Sequence, residues 1–307
     1  MRTMQLHSFV LTVSLGVVGC SGASTNAGPG VGGNSNVGGS TELSTGGNSS
    51  NTSGTEPNNS TGGTKAGGGA ATGGASAAGG GSGTSDPDCS ATMPTGGNTY
   101  TGASVYGTAN GLNYGIWTNG SGGTITVFPS AHAFSTSWDN SLDFLAHLGL
   151  DFRTAKAYTA YGTISAQFVE IKSGTAGGFS MIGMYGWMHS PCVEWYINED
   201  SYNGLYPRGT VTATIDGATY YLTTVTTTGT GGANACESGH TGTWTQMIST
   251  RKTARQCGTV TVSDHFAAWE KQGWSLGTLS SVHINVEVGG GTGSVEFPVA
   301  NVTTTSN

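Results

Sequence analysis

Charged residues are scarce in this sequence: only 9% of its 307 residues are Asp, Glu, Lys or Arg, against about 25% in an average globular chain. Lys and Arg together number ten, and the formal net charge is −7. The sequence therefore has no basic stripe for nucleic acid. With so few charges, recognition through hydroxyls, amides and aromatic faces is favoured, and such groups suit a neutral polymer better than a phosphorylated ligand.

Apolar and aromatic side chains are nearly absent from residues 21–86. Of these 66 residues, 57 are Gly, Ser, Thr, Asn or Ala, and none is aromatic. Such a segment cannot bury enough apolar surface to offset the entropy of ordering it. The composition therefore excludes a single globule of 307 residues. We predict a disordered linker over residues 21–88 and one domain over residues 89–307.

The apolar run at residues 9–18 is too short for a membrane span. It follows Arg2 and ends at Gly19 and Cys20, a pattern typical of a secretory signal. We predict that residues 1–20 are a signal peptide and that the protein is secreted or held at the cell surface. The Val-Val-Gly-Cys segment also resembles the lipobox of bacterial lipoproteins, which implies lipidation of Cys20. The alternative is an ordinary signal peptide with an incidental cysteine.

The chain has only five cysteines, an odd number for an exported protein. If Cys20 carries lipid, Cys89, Cys192, Cys236 and Cys257 remain, and they allow three pairings. A bond between Cys236 and Cys257 is disfavoured, because the predicted strand between them would hold them about 30 Å apart. The connectivity stays open. The seven histidines show no metal-ligand spacing, so neither a metal nor another cofactor is expected.

From residue 100 onward the sequence has a β pattern. Thr, Val, Tyr and Trp alternate with small residues, and Asn-Gly, Asp-Gly and Gly-Gly turn signals recur. One segment is typical of a helix, from Ser263 as N-cap to Gln272, with a glycine directly after it. Many short strands with a single helix predict an all-β fold, a β-jelly-roll sandwich of two antiparallel sheets with one short α-helix.

Two predicted strands, residues 193–198 and 282–288, each carry a glutamate in the middle. Because side chains alternate along a strand, each strand has one apolar face, which we expect to line the core. The opposite faces comprise Glu194, Tyr196 and Asn198 on the first strand, and His283, Asn285 and Glu287 on the second. Acidic residues are rare in this domain, so these two are candidates for a catalytic pair. The alternative is that both face water on an ordinary solvated sheet.

A series of short segments runs through the predicted domain in a characteristic order. They are Tyr-Gly-Ile-Trp-Thr-Asn-Gly at 114–120, Ser-Trp-Asp-Asn-Ser-Leu-Asp-Phe at 137–144, Met-Tyr-Gly-Trp at 184–187, Ser-Pro-Cys-Val-Glu-Trp-Tyr at 190–196, Asp-Gly-Ala-Thr-Tyr at 216–220, Thr-Trp-Thr-Gln at 243–246, Gly-Thr-Val-Thr at 258–261, His-Phe-Ala-Ala-Trp at 265–269, and Val-Glu at 286–287. In this order and spacing, from about residue 110 to about residue 302, the sequence resembles the glycoside hydrolase family 11 endo-1,4-β-xylanases.

The resemblance implies a jelly-roll enzyme that hydrolyses internal β-1,4 bonds of xylan with retention of configuration. Glu194 matches the nucleophile of the family, and Glu287 matches its acid/base. A retaining glycosidase needs two such carboxyl groups about 5–5.5 Å apart. Asp143 matches the residue that touches the acid/base. An aspartate there implies an optimum below about pH 6, because a second carboxyl group shares a proton with Glu287.

The resemblance also implies a set of substrate-binding residues: Trp117, Tyr185, Tyr196 and Gln246. Trp117 matches a tryptophan on which a xylose ring stacks. Xylan or xylo-oligosaccharides are the expected partners of a monomeric protein, with contact to a membrane only through a lipid anchor. Four further side chains are expected to pack within the fold rather than to bind substrate: Trp138, Trp187, His265 and Trp269.

The sequence departs from the family pattern in three segments. Residues 226–242, which we call the thumb segment, lack the Pro-Ser-Ile of the family and carry Thr227 near the position of its arginine. Gly289 stands where the family has a tyrosine, and residues 146–156 are unlike the family. Two alternatives to a xylanase stay open. One is a β-1,4-glucanase, and the other is a non-catalytic carbohydrate-binding β-sandwich.

Overall fold

The computed structural model of the protein describes residues 85–207, 209–229 and 242–306. The predicted signal peptide, Cys20 and nearly all of the predicted linker lie outside the described residues, as do Cys236 and most of the thumb segment. Within these ranges, no helix is long and apolar enough to cross a membrane. In the same part of the chain, no group of three or more His, Cys, Asp or Glu side chains could hold a metal ion.

Fifteen strands, one 3₁₀ helix and one α-helix make up the described part of the chain. The strands are β1 Asn98–Gly102, β2 Ser104–Ala109, β3 Leu112–Asn119, β4 Gly123–Val127, β5 Phe134–Asp139, β6 Asp143–Lys156, β7 Ile164–Gly174, β8 Phe179–His189, β9 Val193–Asp200, β10 Val211–Ile215, β11 Ala218–Gly229, β12 Gly242–Arg251, β13 Cys257–Thr261, β14 Thr278–Gly289 and β15 Thr292–Thr304. The 3₁₀ helix is Tyr158–Tyr161, and α1 is Val262–Lys271.

The strands form two sheets, which confirms the predicted jelly-roll sandwich with one short α-helix. The smaller sheet has the strand order β1-β4-β5-β15-β7-β13, and the larger has the order β10-β11-β12-β9-β8-β14-β6-β3-β2. Nearly all neighbouring strands are antiparallel, as predicted, but β9 and β12 pair in parallel. Parallel neighbours need a crossover connection, and the β10–β11 hairpin lies between β9 and β12 along the chain.

The hydrophobic core lies between the two sheets. The apolar faces of both glutamate-bearing strands point into it, with Trp195 on β9 and Ile284 on β14 fully buried. Phenylalanines from the smaller sheet cover them, and Phe134 stacks on Phe297 with ring centroids 4.6 Å apart. The predicted alternation is therefore correct on both strands. Because Glu194 and Glu287 alternate with core residues, they lie on the opposite face of the nine-stranded sheet, which we call the far face.

The helix begins two residues before the predicted start. The N-cap position is Thr261, so the prediction of Ser263 as N-cap is wrong. Thr261 uses its hydroxyl and its N–H to donate to the carboxylate of Asp216, which joins the helix start to the β10–β11 turn. Ser263 lies inside the first turn, where its hydroxyl accepts a hydrogen bond from the N–H of Ile164. The tertiary contacts of Thr261 and Ser263 therefore outweigh the local capping preference.

The helical side chains named in the sequence pack as expected. Phe266 and Trp269 are fully buried, and Phe266 meets Trp195 edge-on at 5.0 Å between ring centroids. His265 is also fully buried, edge-on to the ring of Tyr220. The indole N–H of Trp269 donates to the hydroxyl of Ser249. These contacts dock the helix on the core side of the nine-stranded sheet.

A disulfide joins Cys89 to Cys257, with a Cα–Cα distance of 5.7 Å. It ties the chain just before β1 to the first residue of β13, 168 residues later. Closing such a long loop removes entropy from the unfolded chain, which typically stabilises a fold by about 2–4 kcal/mol. Cys192 is disulfide-bonded as well. Cys257 is therefore not bonded to Cys236, which confirms the prediction against that pairing.

Candidate active site

Glu194 and Glu287 are both buried on the far face, with exposed fractions of 1% and 2%. The solvated sheet that the sequence had left open as an alternative is therefore wrong. The two residues belong to strands separated by β8 in the sheet, so they are not direct neighbours. A buried carboxylate needs partners to offset its desolvation. The side chains around the two glutamates supply them.

The hydroxyl of Tyr196 connects the two glutamates. Its oxygen lies 2.9 Å from Oε1 of Glu194 and 2.9 Å from Oε2 of Glu287. These two carboxyl oxygens are therefore separated by at most about 5.8 Å, twice that distance. A phenol has one proton and can donate to only one of them. The second hydrogen bond forms when the other carboxyl group holds a proton, so this geometry favours one ionised and one neutral glutamate.

Glu194 accepts hydrogen bonds from three side chains. The amide of Gln246 donates to its Oε2 over 2.7 Å, and the indole N–H of Trp244 donates to the same oxygen over 3.0 Å. Tyr196 is the third donor, and the nearby hydroxyl of Tyr185 also lowers the pKa of Glu194. Burial raises the pKa of Glu194, and these hydrogen bonds to the charged form oppose the rise. The donors thus stabilise the carboxylate that burial would otherwise neutralise.

Glu287 has two carboxyl neighbours. Burial raises its pKa well above the usual range, and the negative charges of Asp143 and Glu194 raise it further. Asp143 is itself buried, and burial together with the charge of Glu194 raises its pKa to about 7. Its oxygens make no hydrogen bond of good geometry to any residue that the structure describes, yet its carboxyl group is close enough to Glu287 for each to shift the pKa of the other. Asp143 and Glu287 therefore titrate as a pair.

Register places these groups on one surface. Asp143 and Leu145 alternate on β6, and Leu145 lies opposite Glu287. On the other side, Leu145 lies opposite Trp117 of β3. Paired residues of neighbouring strands point to the same face, so half-buried Trp117 is on the far face, two strands or about 10 Å from Glu287. The structure thus places every predicted catalytic, substrate-binding and pKa-tuning side chain on the far face.

Tyr185 and Trp187 also lie on this face, next to Tyr196 and Trp244. The indole N–H of Trp187 donates to the hydroxyl of Tyr185 over 2.5 Å, and Tyr185 is near enough to Glu194 to lower the pKa of that carboxyl group. We predicted Trp187 as a packing residue, but this contact links it to the carboxylate through one side chain. Trp138 does belong to the core.

Some side chains near the glutamates were not singled out by the sequence. Trp244 was recognised only as part of a motif, because a strand pattern does not reveal that its indole reaches Glu194. His147 stacks on His283, with ring centroids 4.1 Å apart, and His283 Nε2 lies 2.8 Å from the carboxylate of Asp151. Burial and the neighbouring His283 lower the pKa of His147 well below its usual range. Alternation on β14 indicated the face of His283, whereas His147 lies in residues 146–156 of β6, which match no family motif.

The missing tyrosine after Glu287 has a steric reason. A Cβ atom at Gly289 would collide with the ring of Phe179, which fills the space beside this end of β14. Phe179 lies opposite Gly289 in the β8–β14 pair. An aromatic side chain from the neighbouring strand therefore occupies the position that a side chain at 289 would need. The thumb segment is described only at its ends, where Thr227 of β11 lies opposite Trp244 of β12.

The chain is similar to proteins of one family. The family model described as "Glycosyl hydrolases family 11" matches residues 109–298. Endo-1,4-beta-xylanase S20 of Neocallimastix patriciarum is 41% identical over 198 residues, which cover 62% of this chain and 57% of that protein. Endo-1,4-beta-xylanase 1 of Hypocrea jecorina (strain QM6a) is 37% identical over 183 residues, 59% of this chain and 73% of that protein. The chain spans only 57%, 45% and 31% of three such relatives.

Solved structures of xylanases are also similar to this chain. The structure of the family 11 xylanase from Neocallimastix patriciarum has a TM-score of 0.61 and 31% identity, covering 68% of this chain and all of that one. The wild-type ENZbleach xylanase has a TM-score of 0.63 and 27% identity, covering 70% of this chain and 93% of that one. The described part of this chain therefore has the jelly-roll fold of these xylanases.

Proposed function

Since the chain belongs to glycosyl hydrolases family 11, we propose that it is an endo-1,4-β-xylanase that cleaves internal bonds of xylan with retention of configuration. One observation carries the proposal: Glu194 and Glu287 both contact the hydroxyl of Tyr196, at 2.9 Å each. Retaining glycosidases have their two carboxyl groups about 5–5.5 Å apart, whereas inverting enzymes need about 6.5–9.5 Å to admit a water molecule. The upper limit of about 5.8 Å set by the shared hydroxyl supports retention.

In the first step of this mechanism, Glu194 attacks the anomeric carbon while Glu287 gives its proton to the leaving oxygen. The bond between the sugar carbon and that oxygen breaks, and a glycosyl ester of Glu194 forms. In the second step Glu287 takes a proton from water, which attacks the same carbon and releases Glu194 as a carboxylate. The raised pKa of Glu287 supports its role as the group that is protonated at the start.

The change of role of Glu287 follows from the charge of Glu194. In the free protein, ionised Glu194 helps to raise the pKa of Glu287. Esterification removes that negative charge, so the pKa of Glu287 falls in the glycosyl intermediate. The group that was a proton donor in the first step can then act as a base in the second.

Release of reducing sugar from xylan and from carboxymethyl cellulose tests the proposed function. We expect activity on xylan and none on the cellulose derivative. Hydrolysis of the cellulose derivative alone would support the β-1,4-glucanase alternative, and binding of xylan without hydrolysis would support a carbohydrate-binding module. Proton NMR of the first product anomer tests retention, since an inverting enzyme would release the α anomer first.

Replacing Asp143 with Asn is expected to move the alkaline limb of the pH profile of kcat/KM upward by about one pH unit or more. Below about pH 7 Asp143 holds a proton, so Glu287 has one anionic neighbour fewer and donates its proton more readily. Above that pH ionised Asp143 makes Glu287 a weaker acid, so ionisation of Asp143 sets the alkaline limb of the wild type. In Asp143→Asn the limb is set instead by loss of the proton of Glu287 itself, whose pKa burial and Glu194 still hold well above the usual range. An asparagine stays neutral at every pH and keeps a hydrogen-bond donor beside Glu287.

The profile is measured as kcat/KM on soluble xylan between pH 3 and 9. The exposed Asp139 provides a matched control, and Asp139→Asn should leave both limbs of the profile in place. A profile of Asp143→Asn that superimposes on that of the wild type would refute the coupling between Asp143 and Glu287.

We propose, further, that residues 1–20 direct export and that Cys20 is lipidated, with residues 21–88 as a tether. The support is the apolar run behind Arg2 and the Gly-rich composition that begins directly after Cys20. In a bacterial host, a labelled fatty acid should enter the wild-type protein and should not enter Cys20→Ala. Equal labelling of both proteins, or of neither, would contradict lipidation at this residue.

A further inference from the structure

Trp244 makes a direct contact with the proposed nucleophile. Its indole N–H donates to Oε2 of Glu194 over 3.0 Å, and both side chains are buried, with exposed fractions of 3% and 1%. The indole belongs to a buried cluster that includes Trp187 and Tyr196, and its ring centroid lies 6.3 Å from that of Trp187. Because this packing already fixes the ring, its N–H points at the carboxylate, and forming the hydrogen bond costs no further side-chain entropy.

Strand register explains why the indole reaches Glu194. In the parallel β9–β12 pair, Gln246 lies opposite Glu194. Trp244 is two residues earlier on β12, so it shares the face of Gln246 and lies diagonal to Glu194. At that diagonal distance a long aromatic side chain is within reach, while a short one is not. The contact therefore depends on the single parallel pair in the described part of the larger sheet.

The two oxygens of Glu194 have different surroundings. Oε2 accepts from both Trp244 and Gln246, and an oxygen of a carboxylate has about two acceptor positions. Oε1 accepts from Tyr196, whose hydroxyl also faces Glu287. With its acceptor positions filled, Oε2 serves to hold the carboxylate, and Oε1 lies on the side of the other glutamate.

We propose that Trp244 is a positioning residue that orients Glu194 and keeps it ionised, leaving Oε1 as the atom that attacks the sugar. The inference rests on the proposed xylanase function. An indole N–H is a donor only and does not titrate in the working range, so its contribution persists at every pH at which the protein is folded. The hydrogen bond from Trp244 opposes the pKa rise that burial imposes on Glu194, which is the expected effect of a neutral donor on an anion.

Replacing Trp244 with Phe removes the N–H and keeps an aromatic ring. A hydrogen bond to a charged group typically contributes enough for a change of about tenfold or more in a rate. We expect kcat on soluble xylan to fall about tenfold, with a smaller change in KM. The acidic limb of the kcat/KM profile should move upward by about one pH unit, because Glu194 then needs a higher pH to ionise.

Trp138→Phe is the matched control. Trp138 is equally buried and lies in the core, and its indole N–H has no hydrogen-bond partner among the described residues. We expect this variant to be less stable than the wild type and to keep the wild-type acidic limb. If Trp244→Phe also keeps the wild-type limb and loses less than twofold in kcat, the proposal is wrong.

A measurement on the wild-type protein avoids any loss of folding in the variant. In ¹H–¹⁵N spectra, the indole signal of Trp244 should titrate with the same midpoint as the ¹³C signal of the Glu194 carboxyl group, and the indole signal of Trp138 should not. An indole signal of Trp244 that is constant while Glu194 titrates would overturn the proposal. Failure of the proposed function itself would be distinguishable, since the wild type would then leave xylan intact whatever the spectra show.

Discussion

Glu194→Gln is expected to lower kcat on xylan by at least about 10⁴-fold, the scale of loss when a catalytic nucleophile is removed. The amide cannot form the glycosyl ester, because it carries no negative charge and is a poor nucleophile. Substrate binding should change far less, since an amide has nearly the same shape as the carboxylate. Initial rates of reducing-sugar release, together with calorimetric binding of xylohexaose, measure the two effects separately.

The control for this variant is Glu296→Gln. Glu296 is an exposed residue of β15, in the smaller sheet, and its replacement should leave kcat unchanged within about twofold, as is usual for surface substitutions. The melting temperature of each variant shows whether a loss of activity is a loss of folding. A folded Glu194→Gln protein that retains even a hundredth of the wild-type kcat would contradict the assignment of Glu194 as nucleophile.

Glu287→Ala should have the second-largest effect, and the loss should depend on the leaving group. On xylan we expect a decrease of about 10²–10⁴-fold in kcat, the usual contribution of general acid–base catalysis. On an aryl xylobioside whose phenol is acidic, the first step needs no proton, so formation of the glycosyl ester should be nearly as fast as in the wild type. A burst of phenol followed by slow turnover is the expected time course.

Added azide distinguishes the role of Glu287 from a general loss of function. Azide is a nucleophile that needs no base, so it should attack the ester of Glu194 and restore turnover in Glu287→Ala. The product should be a β-xylobiosyl azide, in which retention is preserved by two displacements at the same carbon. Equal losses on xylan and on the aryl substrate, or an α-azide product, would be inconsistent with Glu287 as acid/base.

Local pattern was sufficient for the general architecture. Alternation of apolar and polar residues predicted which faces of β9 and β14 line the core, because the side-chain period of a strand is a property of the backbone. The helix was predicted from its apolar positions and flanking residues, with an error of two residues at its start. That error arose because Asp216, distant in sequence, binds Thr261.

The positions of Glu194 and Glu287 on matching faces were likewise predictable from the sequence, and the order of the family motifs gave them their expected roles. Neither pattern indicated that both carboxyl groups are buried. Burial depends on side chains contributed by other strands, such as Trp244 of β12 and Leu145 of β6. The pKa rise that separates the proton donor from the nucleophile therefore has its origin in tertiary packing.

Composition and alternation by themselves determined that this chain has a low-complexity segment, an all-β domain and two mid-strand glutamates on polar faces. Only the tertiary structure decided that β9 pairs in parallel with β12, that Tyr196 bridges the two carboxyl groups, and that Cys89 bonds Cys257. The physical reason is that strand faces follow from local backbone geometry, whereas register, burial and cross-links join residues far apart in the chain, whose proximity no local pattern encodes.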